Sequence, residues 1–181
     1  MEKTQHKPLR LRNWDYSSAA AYHVIVCTKD RRPLFGRITA SSDRAWITPT
    51  SLGTVCVAAI EDIEARYEDV HVANYVVMPN HVHLLIELGE GPSDLKRVVS
   101  RFKSLVTAAA RCDGIAKDVW QRSFYDHIIR GEDDYRATWD YIDANPACWI
   151  EDRFVGVTLM GTAPYQPVAT MPESMPTLSS P

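Results

Sequence analysis

The stretch that decides the fold runs from residue 75 to residue 88 and reads YVVMPNHVHLLIEL. Two apolar runs flank Pro79-Asn80, a dipeptide typical of a turn, so the stretch predicts a hairpin of two strands. Side chains alternate between the two faces of a strand, so His81 and His83 point to the same face. Two imidazoles on one face form half of a divalent-metal site, although two half-buried histidines without a ligand fit the same pattern.

Composition indicates an ordinary globular chain. The 181 residues are 45% hydrophobic and 24% charged, which suits one domain with a real core. The formal net charge of −3 argues against bulk electrostatic binding of nucleic acid but leaves local basic patches open. No two of the four cysteines form a Cys-x-x-Cys pair, and neither a signal peptide nor a membrane-spanning run is evident. A cytoplasmic protein with free thiols and no membrane partner is the prediction.

Hydrophobic periodicity predicts four strands and three helices. Their order is β-α-β-β-α-β followed by a helix, which is typical of the α+β class and of the ferredoxin-like split βαβ arrangement. We therefore expect an antiparallel four-stranded sheet with helices on one face and the His-x-His strand near the centre. The predicted strands are 21–28, 70–78, 81–88 and 125–129, and the predicted helices are 51–67, 95–111 and 133–144, the last ending before Pro146.

The ends of the chain differ in composition from its middle. Residues 1–20 are polar and basic at the start and are predicted to form a flexible arm. Residues 157–181 are rich in proline and poor in large apolar groups, which predicts a disordered tail. Residues 21–156 are then the single folded domain.

The third predicted helix carries a second group of polar residues. Tyr141 and Asn145 are four residues apart, so they share a helix stripe that differs from the apolar stripe of Tyr135, Trp139 and Ile142. The phenol of Tyr141 and the amide of Asn145 could therefore face the same site. In the alternative interpretation Tyr141 packs at the edge of the core and Asn145 caps the helix.

Three motifs taken together resemble a known family. Residues 78–83 (MPNHVH), 120–130 (WQRSFYDHIIR) and 141–146 (YIDANP) are similar to the single-tyrosine HUH transposases, above all to the REP-associated tyrosine transposases. The resemblance covers roughly residues 20–155. It implies the HUH endonuclease fold, with His81, His83 and Asn145 binding Mg²⁺ or Mn²⁺ and Tyr141 as the nucleophile. It also implies single-stranded DNA, often folded as a hairpin, as the partner.

The implied chemistry suits these residue types. A divalent ion on a phosphate oxygen reduces the repulsion that an incoming oxyanion meets. Attack by a tyrosine gives a 5′-phosphotyrosine and a free 3′-OH, so the phosphodiester bond is conserved for rejoining. The expected function is a sequence- or hairpin-specific DNA endonuclease and strand transferase, in transposition or in processing of REP elements.

Other residues are secondary candidates. His127 is expected to lie near the metal or to assist proton transfer, with a structural role equally open, and His6, His23 and His71 are interpreted as structural. Trp120, Phe124 and Trp149 could stack on bases, although burial in the core fits each of them. The candidates for contact with phosphate, for which a solvated surface is the alternative, are Lys29, Arg31, Arg32, Arg97, Arg101, Lys103 and Arg122.

Two other functions remain open at this point. The same metal site could hydrolyse a phosphodiester with water while Tyr141 stays a bystander. The second alternative is a domesticated regulator that binds DNA without cleaving it. The oligomeric state is also open. Classical insertion-sequence relatives are dimers in which each chain donates its tyrosine helix to the other, whereas members of the REP-associated branch need not form dimers.

Overall fold

The structure is a computed structural model that describes residues 14–40 and 45–153. Within these ranges it contains two sheets, three α-helices and a short 3-10 turn at Lys29–Arg31. The elements are β1 (Ala20–Cys27), β2 (Gly36–Ala40), β3 (Ala45–Pro49), α1 (Ser51–Arg66), β4 (Val70–Met78), β5 (His81–Leu88), α2 (Leu95–Cys112), β6 (Tyr125–Ile128) and α3 (Glu132–Arg153).

The main sheet has four strands in the order β4-β5-β1-β6. Each neighbouring pair is antiparallel. Met78 pairs with His81 across Pro79-Asn80, so the predicted hairpin is confirmed. β5 lies between β4 and β1, which confirms the α+β, ferredoxin-like prediction of a central His-x-His strand.

One face of this sheet packs against α1 and α2. Val82, Leu84 and Ile86 of β5 are completely buried there, together with Phe102 of α2 and Ile60 of α1. Alternation along β5 delivers its branched side chains to this face, as the sequence predicted. The two crossover helices therefore lie on the same face of the sheet and enclose the larger core.

The opposite face is covered by α3. Tyr135, Trp139 and Ile142 form the predicted apolar stripe, and they pack with Ala73 and Leu85 from the sheet. The prediction had helices on one face, which holds for the two crossover helices but not for the third. Because β4, β5 and β1 carry buried residues on both faces, the sheet needs a layer on each side.

The hairpin of β2 and β3 was not predicted. Its two strands are five residues each, and a two-stranded hairpin is marginal in water without further packing. Ile38 and Ile47 face each other across the hairpin and join the same core cluster as α3. Contacts with distant segments thus stabilise this element, and local sequence carries little signal for it.

Two predicted boundaries are wrong. α3 continues through Pro146 to Arg153, although a helix was expected to end before this proline. Proline lacks an N–H and crowds the carbonyl four residues earlier, but Trp149 packs its ring 5.5 Å from that of His81 and anchors the turn beyond. The predicted arm also extends too far, because Tyr16 is buried in the core and its carbonyl accepts a hydrogen bond from the N–H of Leu95.

The predicted tail at 157–181 and most of the predicted arm lie outside the described residues. In the part of the chain that is described, no helix is both long and apolar enough to cross a membrane.

We expect Gly53→Ala to destabilise the protein by about 1–3 kcal/mol, the usual cost of overpacking. A Cβ at Gly53 would overlap the backbone carbonyl of Phe35, which is held in place by the N–H of Thr50 at 3.0 Å. Urea unfolding checks this. Gly89→Ala is the matched control, because its Cβ would meet the carbonyl oxygen of Asp69 only at 3.6 Å. Equal midpoints for the two variants would contradict the expectation.

Candidate metal and nucleophile site

β5 directs His81 and His83 toward the α3 face of the sheet. Their exposed fractions are 8% and 2%, so both imidazoles are buried. The ring centroids are 4.7 Å apart and the ring planes cross at 74°. The predicted pair on one face is therefore present and lies beneath the helix that carries Tyr141 and Asn145.

The Nδ1 atom of each histidine has a fixed partner. Nδ1 of His81 lies 2.8 Å from Oδ1 of Asn80. The Asn80 amide is oriented by its own Nδ2, which donates to the carbonyl of Arg31 at 3.2 Å. Since an amide oxygen only accepts, the His81 proton is on Nδ1 and its Nε2 carries a lone pair. Nδ1 of His83 lies 2.9 Å from Nε2 of His23.

Nε2 of His83 is buried and has no hydrogen-bond partner among the described residues. A buried polar atom without a partner is uncommon and calls for a ligand or another explanation. Together with Nε2 of His81 it supplies two nitrogen donors of the kind that bind divalent metals.

Burial keeps these histidines neutral. Burial lowers the pKa of His81 to about 4, and the charge of Arg31 acts in the same direction, while a hydrogen bond to Asn145 opposes them. Burial also lowers the pKa of His83 to about 2, and the neighbouring His81 and His23 contribute. At neutral pH both rings are uncharged, which is the form that coordinates a metal.

α3 places Tyr141 and Asn145 over the histidine pair. The Tyr141 ring stands edge-on to His83, with centroids 5.5 Å apart, and its exposed fraction is 51%. Asn145 is buried, and its Nδ2 donates to the carbonyl of Tyr141 at 3.0 Å. This bond uses the amide nitrogen and leaves Oδ1 available as a ligand. The structure thus brings the predicted nucleophile and all three predicted ligands together within one chain.

The donor set fits a weakly held divalent ion. It consists of two imidazoles and an amide, and in the described residues no group of three or more His, Cys, Asp or Glu side chains could hold a metal. A neutral set of this kind suits an exchangeable cofactor better than a permanent structural ion.

His23 is the site residue that sequence reasoning missed. It lies on β1, is buried, is hydrogen-bonded to His83, and packs against the ring of Tyr141, whose centroid is 5.9 Å away. The interpretation of His23 as merely structural did not foresee these contacts. Only the pairing of β1 with β5 reveals them, since the alternation of β1 by itself does not identify its neighbour.

His127 lies farther from the ligands than predicted. It is the pairing partner of His23 on β6, two strands from β5 and therefore roughly 10 Å away. Its Nε2 lies 3.0 Å from the carboxylate of Asp134, and its side chain is more than half exposed. The strand of His23 lies between the strand of His127 and that of His83.

The predicted phosphate contacts divide into two groups. Arg31 lies close enough to His81 for its charge to lower that pKa. The basic residues of α2 are instead on the far side of the sheet from the histidines. There Arg101 pairs with Asp62 at 2.9 Å, and Lys103 donates to the carbonyl of Gln121 at 2.8 Å. The Arg32 guanidinium is also engaged, since it donates to backbone carbonyls of Lys29 and Asp118.

A basic groove runs between α2 and the segment before β6. Two adjoining cavities of about 720 and 430 Å³ share Lys103, Arg111 and Arg122. Among the described residues, one acidic side chain, Asp118, lines them. Trp120 also lines both cavities, and its ring packs on that of Phe35 with the centroids 5.0 Å apart. The basic residues lining this groove are Lys29, Lys96, Lys103, Arg111, Lys117 and Arg122.

Comparison with known proteins identifies relatives over most of this domain. The family described as "Transposase IS200 like" matches residues 16–145. An uncharacterized protein of Haemophilus influenzae is 32% identical over 168 residues, which cover 81% of this chain and 91% of that protein. A REP-associated tyrosine transposase of Escherichia coli K12 is 38% identical over 72 residues, covering 40% of this chain and 41% of the relative.

A solved structure of a REP-associated tyrosine transposase bound to a REP hairpin shares the fold. It superposes with a TM-score of 0.60 at 26% identity and covers 77% of this chain and 73% of that chain. These matches confirm the resemblance that the three sequence motifs indicated. The chain belongs to the IS200-like transposase family and has REP-associated tyrosine transposases among its homologues.

Proposed function

We propose that this chain cuts and rejoins single-stranded DNA by transesterification through Tyr141. One observation carries the proposal: a half-exposed tyrosine stands over two buried histidines and one helical turn from a buried amide. A macromolecular substrate can reach this tyrosine from solvent, and the histidines and the amide beside it are buried.

The metal in this proposal is Mn²⁺ or Mg²⁺, held by Nε2 of His81, Nε2 of His83 and Oδ1 of Asn145. Two nitrogen ligands favour Mn²⁺ of the two, because Mg²⁺ prefers oxygen ligands and retains its waters. When bound, such an ion would offset phosphate charge and polarise the phosphorus.

Tyr141 supplies the covalent step. Its phenol loses a proton as the oxygen attacks phosphorus, and the bond from phosphorus to the 3′ oxygen breaks. The 3′ oxygen takes up a proton and leaves as a 3′-OH, while the 5′ side stays linked as a phosphotyrosine. Attack by a 3′-OH on this ester rejoins the strand without a nucleotide cofactor.

A hairpin is the proposed form of the DNA, by analogy with the relative that binds a REP hairpin. We assign its phosphate backbone to the basic groove, whose charge contrasts with the net charge of −3 for the whole chain. The turn Lys29–Arg31 links groove and site, because Lys29 lines the smaller cavity and Arg31 lies beside His81. Lys103 has a structural role in the groove, because its ammonium group donates hydrogen bonds to the backbone carbonyls of Gln121 and Ser123.

A covalent adduct on Tyr141 is the first expected result. The purified protein is incubated with Mn²⁺ and a pool of DNA hairpins with randomised single-stranded flanks, labelled at either end. We expect the 3′-labelled fragment to migrate with the protein in a denaturing gel. Tyr141→Phe should reduce this adduct at least ~10³-fold, because phenylalanine has no oxygen to attack phosphorus.

Tyr125→Phe is the matched control, since Tyr125 is similarly exposed at 54% but lies on β6. It should form the adduct at the wild-type level. Cleavage without an adduct would indicate hydrolysis by water, and binding without cleavage would indicate a regulator. Either outcome overturns the proposal.

Activity should also be complete within one chain. Because Tyr141 lies over the histidines of its own chain, a mixture of His83→Ala and Tyr141→Phe proteins should form no adduct above that of each variant alone. Recovery of about a quarter of wild-type activity in the mixture would show that the tyrosine is donated between two chains.

The groove should govern the salt dependence of DNA binding. Lys96→Gln/Arg122→Gln is expected to reduce the slope of log K against log salt by about 2 and to weaken hairpin binding on the order of 10-fold. Arg66→Gln/Arg136→Gln removes the same charge from exposed positions outside the groove and should leave the slope nearly unchanged. Identical slopes for both double variants would contradict the assignment.

A further inference from the structure

His23 and His83 form a buried pair whose hydrogen bond has two possible directions. The atoms involved are Nε2 of His23 and Nδ1 of His83, 2.9 Å apart, and the two rings are nearly parallel at 22°. Each neutral imidazole has one N–H and one lone pair, so one ring donates and the other accepts.

The surroundings of His83 distinguish the two directions. If His83 accepted at Nδ1, its proton would be on Nε2, which is buried and has no partner among the described residues. A buried N–H with no acceptor is unfavourable. If His83 donates from Nδ1, its Nε2 carries a lone pair, and the rings of His81 and Tyr141 lie 4.7 and 5.5 Å from the His83 ring. That second arrangement is the one that binds a metal.

We propose that His23 is a positioning residue that accepts the hydrogen bond from Nδ1–H of His83 and thereby holds Nε2 of His83 ready for the metal. This inference rests on the metal site of the proposed function. It makes His23 the counterpart of Asn80, whose amide oxygen has the same role for His81. Partners of this kind orient ligand imidazoles and select their tautomer.

Both acceptors are uncharged, and this has a chemical consequence. Ligand histidines are often oriented by a carboxylate, which adds negative charge behind the ring. Here the partner of His81 is an amide and the partner of His83 is an imidazole. Asp134 does not contact His83; it is hydrogen-bonded to His127, which pairs with His23 on the next strand. The site therefore keeps its ligands oriented while leaving the charge of a bound cation to act on the phosphate.

The tautomer of His83 tests the inference directly in metal-free protein. We expect ¹⁵N-detected imidazole spectra of the wild type to show His83 protonated on Nδ1 and unprotonated on Nε2. The resonances that disappear in the spectrum of the His83→Ala variant are assigned to the His83 ring. A proton on Nε2 of His83 would overturn the proposal, whatever the protein does to DNA.

Affinity for Mn²⁺ provides the second test, measured without DNA by the electron paramagnetic resonance of free Mn²⁺. His23→Phe keeps a ring but removes the acceptor, and it should weaken Mn²⁺ binding 10- to 100-fold. His23→Gln restores an acceptor and should stay within about 3-fold of the wild type. Circular dichroism and the melting temperature check that both variants fold.

Unchanged affinity in His23→Phe, or an equal loss in both variants, would contradict a positioning role. Failure of the wild type to bind Mn²⁺ would instead refute the metal in the proposed function, and the tautomer spectrum would still decide the direction of the hydrogen bond.

Discussion

The antiparallel pairing of β5 with β1 is the constraint on which the rest of the molecule depends. It sets Ile25 opposite His83 and His23 opposite Leu85, so two histidines from distant parts of the chain become diagonal neighbours on one face. The same pairing sends Val24 and Leu84 to the other face, where both are completely buried. Because side chains alternate, a slip of one residue would exchange core and site along the whole strand. Burial on both faces therefore protects the register that assembles the ligands.

α3 completes the site because it performs two tasks at once. Its apolar stripe, with Tyr135, Trp139 and Ile142, covers the face of the sheet that α1 and α2 leave open. A neighbouring stripe then has to face the histidines, and it carries Tyr141 and Asn145. Continuation past Pro146 adds Trp149, which packs on His81. Core packing thus positions the proposed nucleophile without any dedicated loop.

Prediction from sequence was most successful where the signal is periodic. The hairpin around Pro79-Asn80, both crossover helices and the central strand follow from alternation and from apolar stripes, which local backbone geometry imposes. The β2–β3 hairpin escaped prediction because Ile38 and Ile47 are buried in a cluster with residues of α3, which are distant in the sequence. The sequence predicted phosphate contacts from residue type alone and could not separate the basic residues by position. The sheet places Arg101 and Lys103 on one of its faces and Arg31 near the histidines on the other.

The sequence by itself determined which side chains share a face: His81 with His83, and Tyr141 with Asn145. These relations depend on the period of a strand or helix, and they hold whatever the rest of the chain does. Only the tertiary structure decided that these two faces meet, that His23 joins them from 60 residues away, and that His127 contacts Asp134. Such contacts depend on which register buries the most apolar surface over the whole sheet, and no local stretch of the chain contains that information.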